Sequence, residues 1–223
     1  HGADGWQAPG YVVLQLAEDF LRIGLLICRD AQVELDAVSA FVDIGDGVTD
    51  IAVIRSGSLV TTSAVRIACS NLVHAVCQSV ADLHGVEPYY REAERLTWRV
   101  GATRTTNSLS PYVVAGEDRR TKLQRRVYVH GSEVTAAMSP VLDVIVGAVR
   151  DAVKNLPPEI GCEVIESGIH LTGGGACLPG LADLIAVETH LDVVTARNPL
   201  RAVINGARQM LVTGAQTDLW AKG

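Results

Sequence analysis

Apolar residues fall into short runs and helical stripes that alternate along the chain, and their spacing predicts an α/β fold. Tyr11 to Leu16 reads as a short buried strand, and Phe20, Leu21 and Ile23 to Ile27 as a packed helix. Ser39 to Val42 forms a strand ending in Asp43, and Ile51 to Ile54 a second. Leu59, Thr61, Ser63 and Val65 give a third, so that turns at Gly45/Gly47 and at Ser56/Gly57 produce an antiparallel meander. Ser70 is placed to cap a helix to about His84, with Leu72, Val73, Val76, Val80 and Leu83 at helical spacing and Gly85 as its stop. A second helix takes Pro88 in its first turn and buries Tyr89, Ala93, Leu96 and Val100. Residues 101–125 are polar and charged, with strands expected at Tyr112 to Ala115 and Arg126 to His130. This middle third reads as a small separate lobe.

Ser132 is placed to cap the longest helix, Glu133 to about Asn155. Its stripe runs through Val134, Ala137, Met138, Val141, Leu142, Ile145, Ala148, Val149, Ala152 and Val153. Pro140 is expected to kink it, and Pro157 and Pro158 to close it. An acidic loop leads to a strand at Ile169 to Thr172, which runs into Gly173, Gly174, Gly175 and Ala176. Leu181, Leu184, Ile185 and Val187 mark the next helix, Val193 and Val194 a last strand, and Asn198 with Pro199 a final helix to about Leu211.

Composition narrows the function classes. The chain has 223 residues, 48% of them hydrophobic, and a net charge of −6. No run approaches the roughly 18 apolar residues of a spanning helix, and no signal peptide is read at the start, so a soluble protein is expected. An acidic balance argues against nucleic-acid binding. Cys28, Cys69, Cys77, Cys162 and Cys177 are odd in number and scattered, which suits a reducing cytoplasm rather than a disulfide framework or a zinc site. The six histidines show no metal-binding spacing. Opening on His1, the chain reads as a fragment. Arg119, Arg120, Lys122, Arg125 and Arg126 form its one basic run, read as a solvated hairpin.

Two glycine loops carry the candidate chemistry. In FVDIGDGVTDIAVI, Phe41 to Ile54, glycines permit a sharp reversal between strands and leave Asp43 and Asp50 beside exposed amides. Such a tip suits phosphate oxygens and a metal ion. The second loop, GGGACLPG from Gly173, follows a strand and precedes a helix, but it is not a GxGxxG dinucleotide fingerprint.

Together with AERL, LPPEI and GIHLTGGGACLPGLADLIAVETHLDVVTARNPLRAVINGA, the hairpin run FVDIGDGVTDIAVIRSGSLVTTSAVRI resembles the bacterial actin MreB family, from about Tyr11 to Leu211. The resemblance implies an actin-like (ribonuclease H-like) ATPase fold, mainly its second lobe with part of the first. Residues 1–38 would be the tail of subdomain IA, 39–70 and 131–197 subdomain IIA, and 71–130 subdomain IIB. Residues 198–223 would be a C-terminal helix returning to IA, plus a tail. The implied function is that of a cytoplasmic filament protein for cell shape, organising wall synthesis through self-association and wall-elongation partners. Membrane association would come only through a segment not found in this chain.

ATP with magnesium is the implied cofactor. Gly45, Asp46, Gly47, Val48 and Thr49 would face the outer phosphates, with Asp43 as the magnesium-side and catalytic carboxylate. Glu94 and Thr97 would lie by the ribose, and Gly173, Gly174, Gly175 and Ala176 by the adenine. The family's EEP run, whose glutamate assists water attack, meets Leu16 to Glu18 with a register shift, leaving Glu18 as a second catalytic candidate. Several positions depart from the family pattern: Asp46 replaces a glycine, Ala68, Cys69 and Ser70 replace GGD, and Thr97 replaces a lysine. A carboxylate about 4 Å from a phosphate charge costs about 4 kcal/mol at an effective dielectric near 20, about a thousandfold in affinity, whereas an outward-turned side chain would escape most of this penalty. Asp46 is further expected to strain a turn that asks for positive φ. Weak ATP binding and negligible hydrolysis are therefore expected. A non-hydrolysing relative that caps or joins filaments is the alternative, and a phosphotransferase or chaperone-type ATPase the third reading.

Overall fold

The computed structural model describes residues 38–55, 58–103, 110–205 and 208. The strand expected at 11–16, the helix at 20–27, Glu18, the turn at Ser56/Gly57 and the far end of the last helix lie outside them. The meander is present: β1 (Val38–Ile44), β2 (Thr49–Arg55) and β3 (Ser58–Val65) pair antiparallel, with Asp43 opposite Asp50. On its other side β1 pairs in parallel with β7 (Ile169–Thr172), and β7 with β8 (Val193–Thr195), in the order β3-β2-β1-β7-β8. All seven residues of β1 are buried. That is the pattern of a strand covered on both faces, and it explains why its sequence does not alternate.

Between β3 and β7 the chain builds a second sheet, β4 (Val86–Pro88), β5 (Tyr112–Asp118) and β6 (Gln124–Val129), antiparallel in the order β4-β5-β6. Among the described residues the strands are accompanied by the helices α1 (Cys69–His84), α2 (Tyr90–Val100), α3 (Gly131–Lys154), α4 (Pro158–Ser167) and α5 (Leu181–Thr189), with residues 202–205 also helical. The helix α1 packs on both α2 and α3, α3 reaches β2 and β3, and α4 lies on β1. One hydrophobic cluster therefore runs from Val42 and Ile44 through Leu72 and Val76 to Val114 and Val127 of the second sheet.

Local details differ from expectation for identifiable reasons. Ala68, not Ser70, precedes α1, and the Asn71 side chain accepts the Ala68 N–H at 3.0 Å. His130 precedes α3, with the Glu133 carboxylate accepting its N–H at 2.6 Å, so Ser132 lies inside the first turn. Pro88 ends β4 instead of opening α2, which leaves Tyr89 exposed at the helix start. Leu83 and Val187 sit at helical spacing but face solvent. The stretch read as an acidic loop is the helix α4, started by Pro158 and anchored by Ile160 and Val164. Among the described residues α3 is long and apolar enough to cross a membrane. Its Val134, Met138, Leu142, Ile145, Val146 and Val149 are buried in the protein's own cluster. The basic run is largely paired within the chain: Arg119 with Asp82 and Glu87, Lys122 with Glu117, Arg125 with Asp118.

This packing separates two residues of similar hydrophobicity. Ile145→Ala, at a fully buried position of α3, is predicted to cost about 3 kcal/mol in urea denaturation. Val187→Ala should stay within about 0.5 kcal/mol.

Candidate functional site

The parallel pairing of β1 with β7 sets Asp43 opposite Thr172. Both strands therefore finish at the same edge, and the loops that follow them, Gly45–Val48 and Gly173–Ala176, emerge side by side. Clefts at the carboxyl ends of parallel strands are where α/β sheets bind ligands. Contact between the loops is close. Gly173 adopts a φ of 81°, and a Cβ there would collide with the Asp43 carboxylate oxygen Oδ1 and the Ile44 carbonyl. A Cβ on Gly175 would collide with the Ile44 side chain. The glycines are needed because the second loop is pressed onto the end of β1.

Asp43 is the electrostatic centre of this contact. Its side chain is 8% exposed, and its Oδ1 has no hydrogen-bond partner. Burial, and then the facing Asp50, push its carboxyl up to about 6. Burial also raises Asp50. A buried oxygen with no partner beside a second carboxylate is a place where a cation would relieve an uncompensated charge. Asp43 is the group that would face the implied magnesium ion; among the described residues no cluster of three or more His, Cys, Asp or Glu that could hold a metal ion is present.

The tip of the first loop is held from below. The Gly45 N–H donates to the Val48 carbonyl at 2.9 Å, closing the turn. At the start of α1, the Cys69 N–H donates to the Gly45 carbonyl at 3.3 Å and the Ser70 N–H to the Asp46 carbonyl at 2.8 Å. The Ser70 hydroxyl donates to the same Asp46 carbonyl, also at 2.8 Å. Helix N-termini attract anions through unsatisfied N–H groups, and here those of Cys69 and Ser70 are already satisfied by the loop. Neither tip glycine has positive φ, nor does Asp46, so the strain expected of Asp46 is not present. Gly47 has open space where a Cβ would point. The Asp46 side chain is exposed, yet its charge helps raise the Cys69 thiol to about 11, after burial as the main cause, and helps raise the Tyr90 phenol.

The remaining candidates divide. Thr49 is fully buried and its hydroxyl donates to the Ile67 carbonyl at 2.8 Å, which ties β2 to the end of β3. Val48 is partly open to solvent. Thr97 is buried and its hydroxyl donates to the Ala93 carbonyl one turn back, at 2.8 Å. Burial, and then the charges of Asp46 and Glu94, raise the Tyr90 phenol. The end of α2 is fixed to the second loop: Ala102 N–H donates to the Pro179 carbonyl at 2.7 Å, and a Cβ on Gly101 would approach that carbonyl to 2.5 Å. Spacing alone does not reveal Cys69 and Ser70 as partners of the tip, which only the resemblance placed near the site, because nothing local in the sequence links residue 46 to the start of α1.

Comparison with known proteins agrees with this geometry. The family model for MreB/Mbl protein matches residues 25–218. The chain belongs to the MreB/Mbl family. The cell shape-determining protein Mbl of Bacillus subtilis (strain 168) is 33% identical over 170 residues, covering 76% of this chain and 51% of that protein. The cell shape-determining protein MreB of Escherichia coli (strain K12) is 33% identical over 173 residues, covering 78% and 50%. The chain thus spans about half the length of the curated relatives it matches. Among solved structures, MreB5 of Spiroplasma citri bound to ADP has a TM-score of 0.79 at 19% identity, covering 92% of this chain and 61% of that one. The MamK double helical filament gives 0.67 at 18% identity, covering 87% and 58%. The actin-like fold expected for an MreB/Mbl chain is the fold found.

The Asp43 carboxyl has a direct thermodynamic signature. Its pKa rises on folding from 3.8 to about 6, so the folded chain holds this proton more tightly than the unfolded chain does. The stabilisation is complete below about pH 4 and lost as pH rises through about 6. Asp43→Asn, which removes the charge, is predicted to raise the unfolding free energy by about 2 kcal/mol at about pH 7.5 and to leave it unchanged at about pH 3.5. Guanidinium titrations at the two pH values measure this.

Proposed function

We propose that this MreB/Mbl chain works as part of an actin-like, nucleotide-responsive filament that determines cell shape and organises wall synthesis from the cytoplasmic side of the membrane. Its partners are other copies of itself and proteins of wall elongation. The names of its relatives support the role, and the observation that carries the nucleotide reading is the meeting of the two glycine loops over the unpartnered Asp43 oxygen. Residues 39–70 and 131–197 act as subdomain IIA and 71–130 as IIB, a division supported by the two separate sheets. Residues 1–38 and 198–223 belong with subdomain IA.

In this reading the Gly45–Val48 tip faces the outer phosphates, Gly173–Ala176 the adenine and Glu94 the ribose, while Thr49 and Thr97, buried and bonded to Ile67 and Ala93, support these elements from within. Asp43 is the magnesium-side group. A bound nucleotide would supply a ligand common to both loops. The chain's own residues set how tightly it is held. Gly47 leaves the approach open and Ser70 fixes the tip, while the Asp46 carboxylate repels phosphate charge. The first N–H groups of α1 are satisfied by loop carbonyls, and the Thr97 hydroxyl is turned to Ala93. All three features favour weak ATP binding and negligible hydrolysis. They also favour the second reading, a non-hydrolysing relative that joins or caps filaments.

Calorimetry with magnesium ATP tests this reading. Binding weaker than about 100 μM is predicted for the natural chain, with Asp46→Gly tightening it at least about tenfold by removing the repulsion. Micromolar, magnesium-dependent binding by the natural chain, unchanged by Asp46→Gly, would contradict it. Pelleting with and without ATP then separates a nucleotide-dependent filament from an interaction protein indifferent to ATP.

A further inference from the structure

Away from the glycine loops, a cleft of about 410 Å³ opens between the outer side of α2 and the start of β5. Glu92, Arg95, Leu96 and Arg99 line one wall, and Tyr112 to Val114 lie on the other. Leu96 and Val114 are buried and make an apolar floor. Two guanidinium groups stand on the rim. Arg95 is exposed and pairs with Glu92 of its own helix at 3.1 Å. Arg99 lies over the Tyr112 ring, 5.4 Å from its centre, and forms no ion pair with a described residue. Stacking on an aromatic face holds a guanidinium in place while leaving its N–H edge available to a carboxylate.

The strand wall adds a backbone feature. The Ala115 carbonyl accepts the Tyr89 N–H at 3.1 Å, and the Arg119 N–H donates to the Gly85 carbonyl at 2.9 Å. Odd-numbered residues of β5 therefore turn their backbone groups toward β4, since these alternate in direction along a strand. But β4 ends at Pro88, which pairs with Gly116, and the chain then leaves the sheet to enter α2. The N–H and C=O of Val113 consequently point past the end of β4 along the cleft. On the opposite side β5 is fully occupied by β6.

We propose that this cleft binds an extended acidic peptide segment of another protein. The segment continues the short strand β4 by pairing with Val113, places a carboxylate between Arg95 and Arg99, and lays an apolar side chain on Leu96 and Val114. A strand edge with side-chain pockets beside it is a recurring mode of peptide recognition, in which the backbone supplies affinity and the pockets specificity. The exposed edge favours a peptide over an inorganic anion, and the two arginines favour acidic over basic sequences. The site is independent of the nucleotide reading, since it uses the outer side of α2.

Fluorescence anisotropy on the full 223-residue chain tests it with labelled, capped peptides that alternate valine with glutamate or valine with lysine. The glutamate peptide should bind at least about tenfold more tightly than the lysine peptide. The double variant Arg95→Glu/Arg99→Glu, changed only at exposed positions, should reverse that preference. Val113→Pro removes one edge N–H without altering charge and should weaken the glutamate peptide severalfold, with circular dichroism confirming that the variant is folded. Equal binding of both peptides would overturn the proposal. So would indifference to the charge reversal, binding untouched by Val113→Pro, or displacement of the peptide by millimolar inorganic phosphate, which would mark a plain anion site. Self-association of the chain that excludes the peptide would assign the cleft to a second copy instead.

Discussion

The contact between Asp43 and Gly173 is the constraint on which the site depends. Parallel pairing of β1 with β7 forces two loops out of the same sheet edge, and there is room for both only because residue 173 has no Cβ. The same closeness dries Asp43 and leaves one of its oxygens without a partner. Burying a charge in this way is costly, and the carboxyl responds by holding its proton more strongly. The site is therefore held together by backbone packing and kept out of balance by one side chain. An MreB/Mbl chain built this way carries a position where charge is wanted before any ligand arrives.

Around that centre, the departures from the family pattern act together. A glycine-to-aspartate change at position 46 first suggests strained backbone and direct repulsion. The strain is absent, because the tip keeps negative φ and Ser70 grips the Asp46 carbonyl with both its N–H and its hydroxyl; the Asp46 side chain is exposed. The first N–H groups of α1 are thus engaged by the loop itself, and the loop geometry is fixed from below.

Much of this was legible from one sequence. The meander, the two glycine loops and the stripe of α3 follow from local spacing, and the pattern of blocks implied the actin-like fold. Other features were not legible, for physical reasons. Ile160 and Val164 are the only buried residues of α4, too few for a stripe, and charged neighbours made it look like a loop. Spacing gives the period of a helix but not the extent of its cover, which is how Leu83 and Val187 were placed inside. Strand β4 has three residues and exists only because β5 is there to pair with it. The grip of Ser70 on the tip and the clash that requires Gly173 join residues far apart in sequence, and only the folded chain brings them together.

The most direct measurement of the central claim is the titration of the Asp43 carboxyl itself, followed by its carbon-13 chemical shift as pH is varied. A buried carboxyl facing Asp50 with an unpartnered oxygen predicts a midpoint of about 6. A midpoint near the ordinary aspartate value of about 4 would show that Asp43 is hydrated or paired, and would contradict the account of the site.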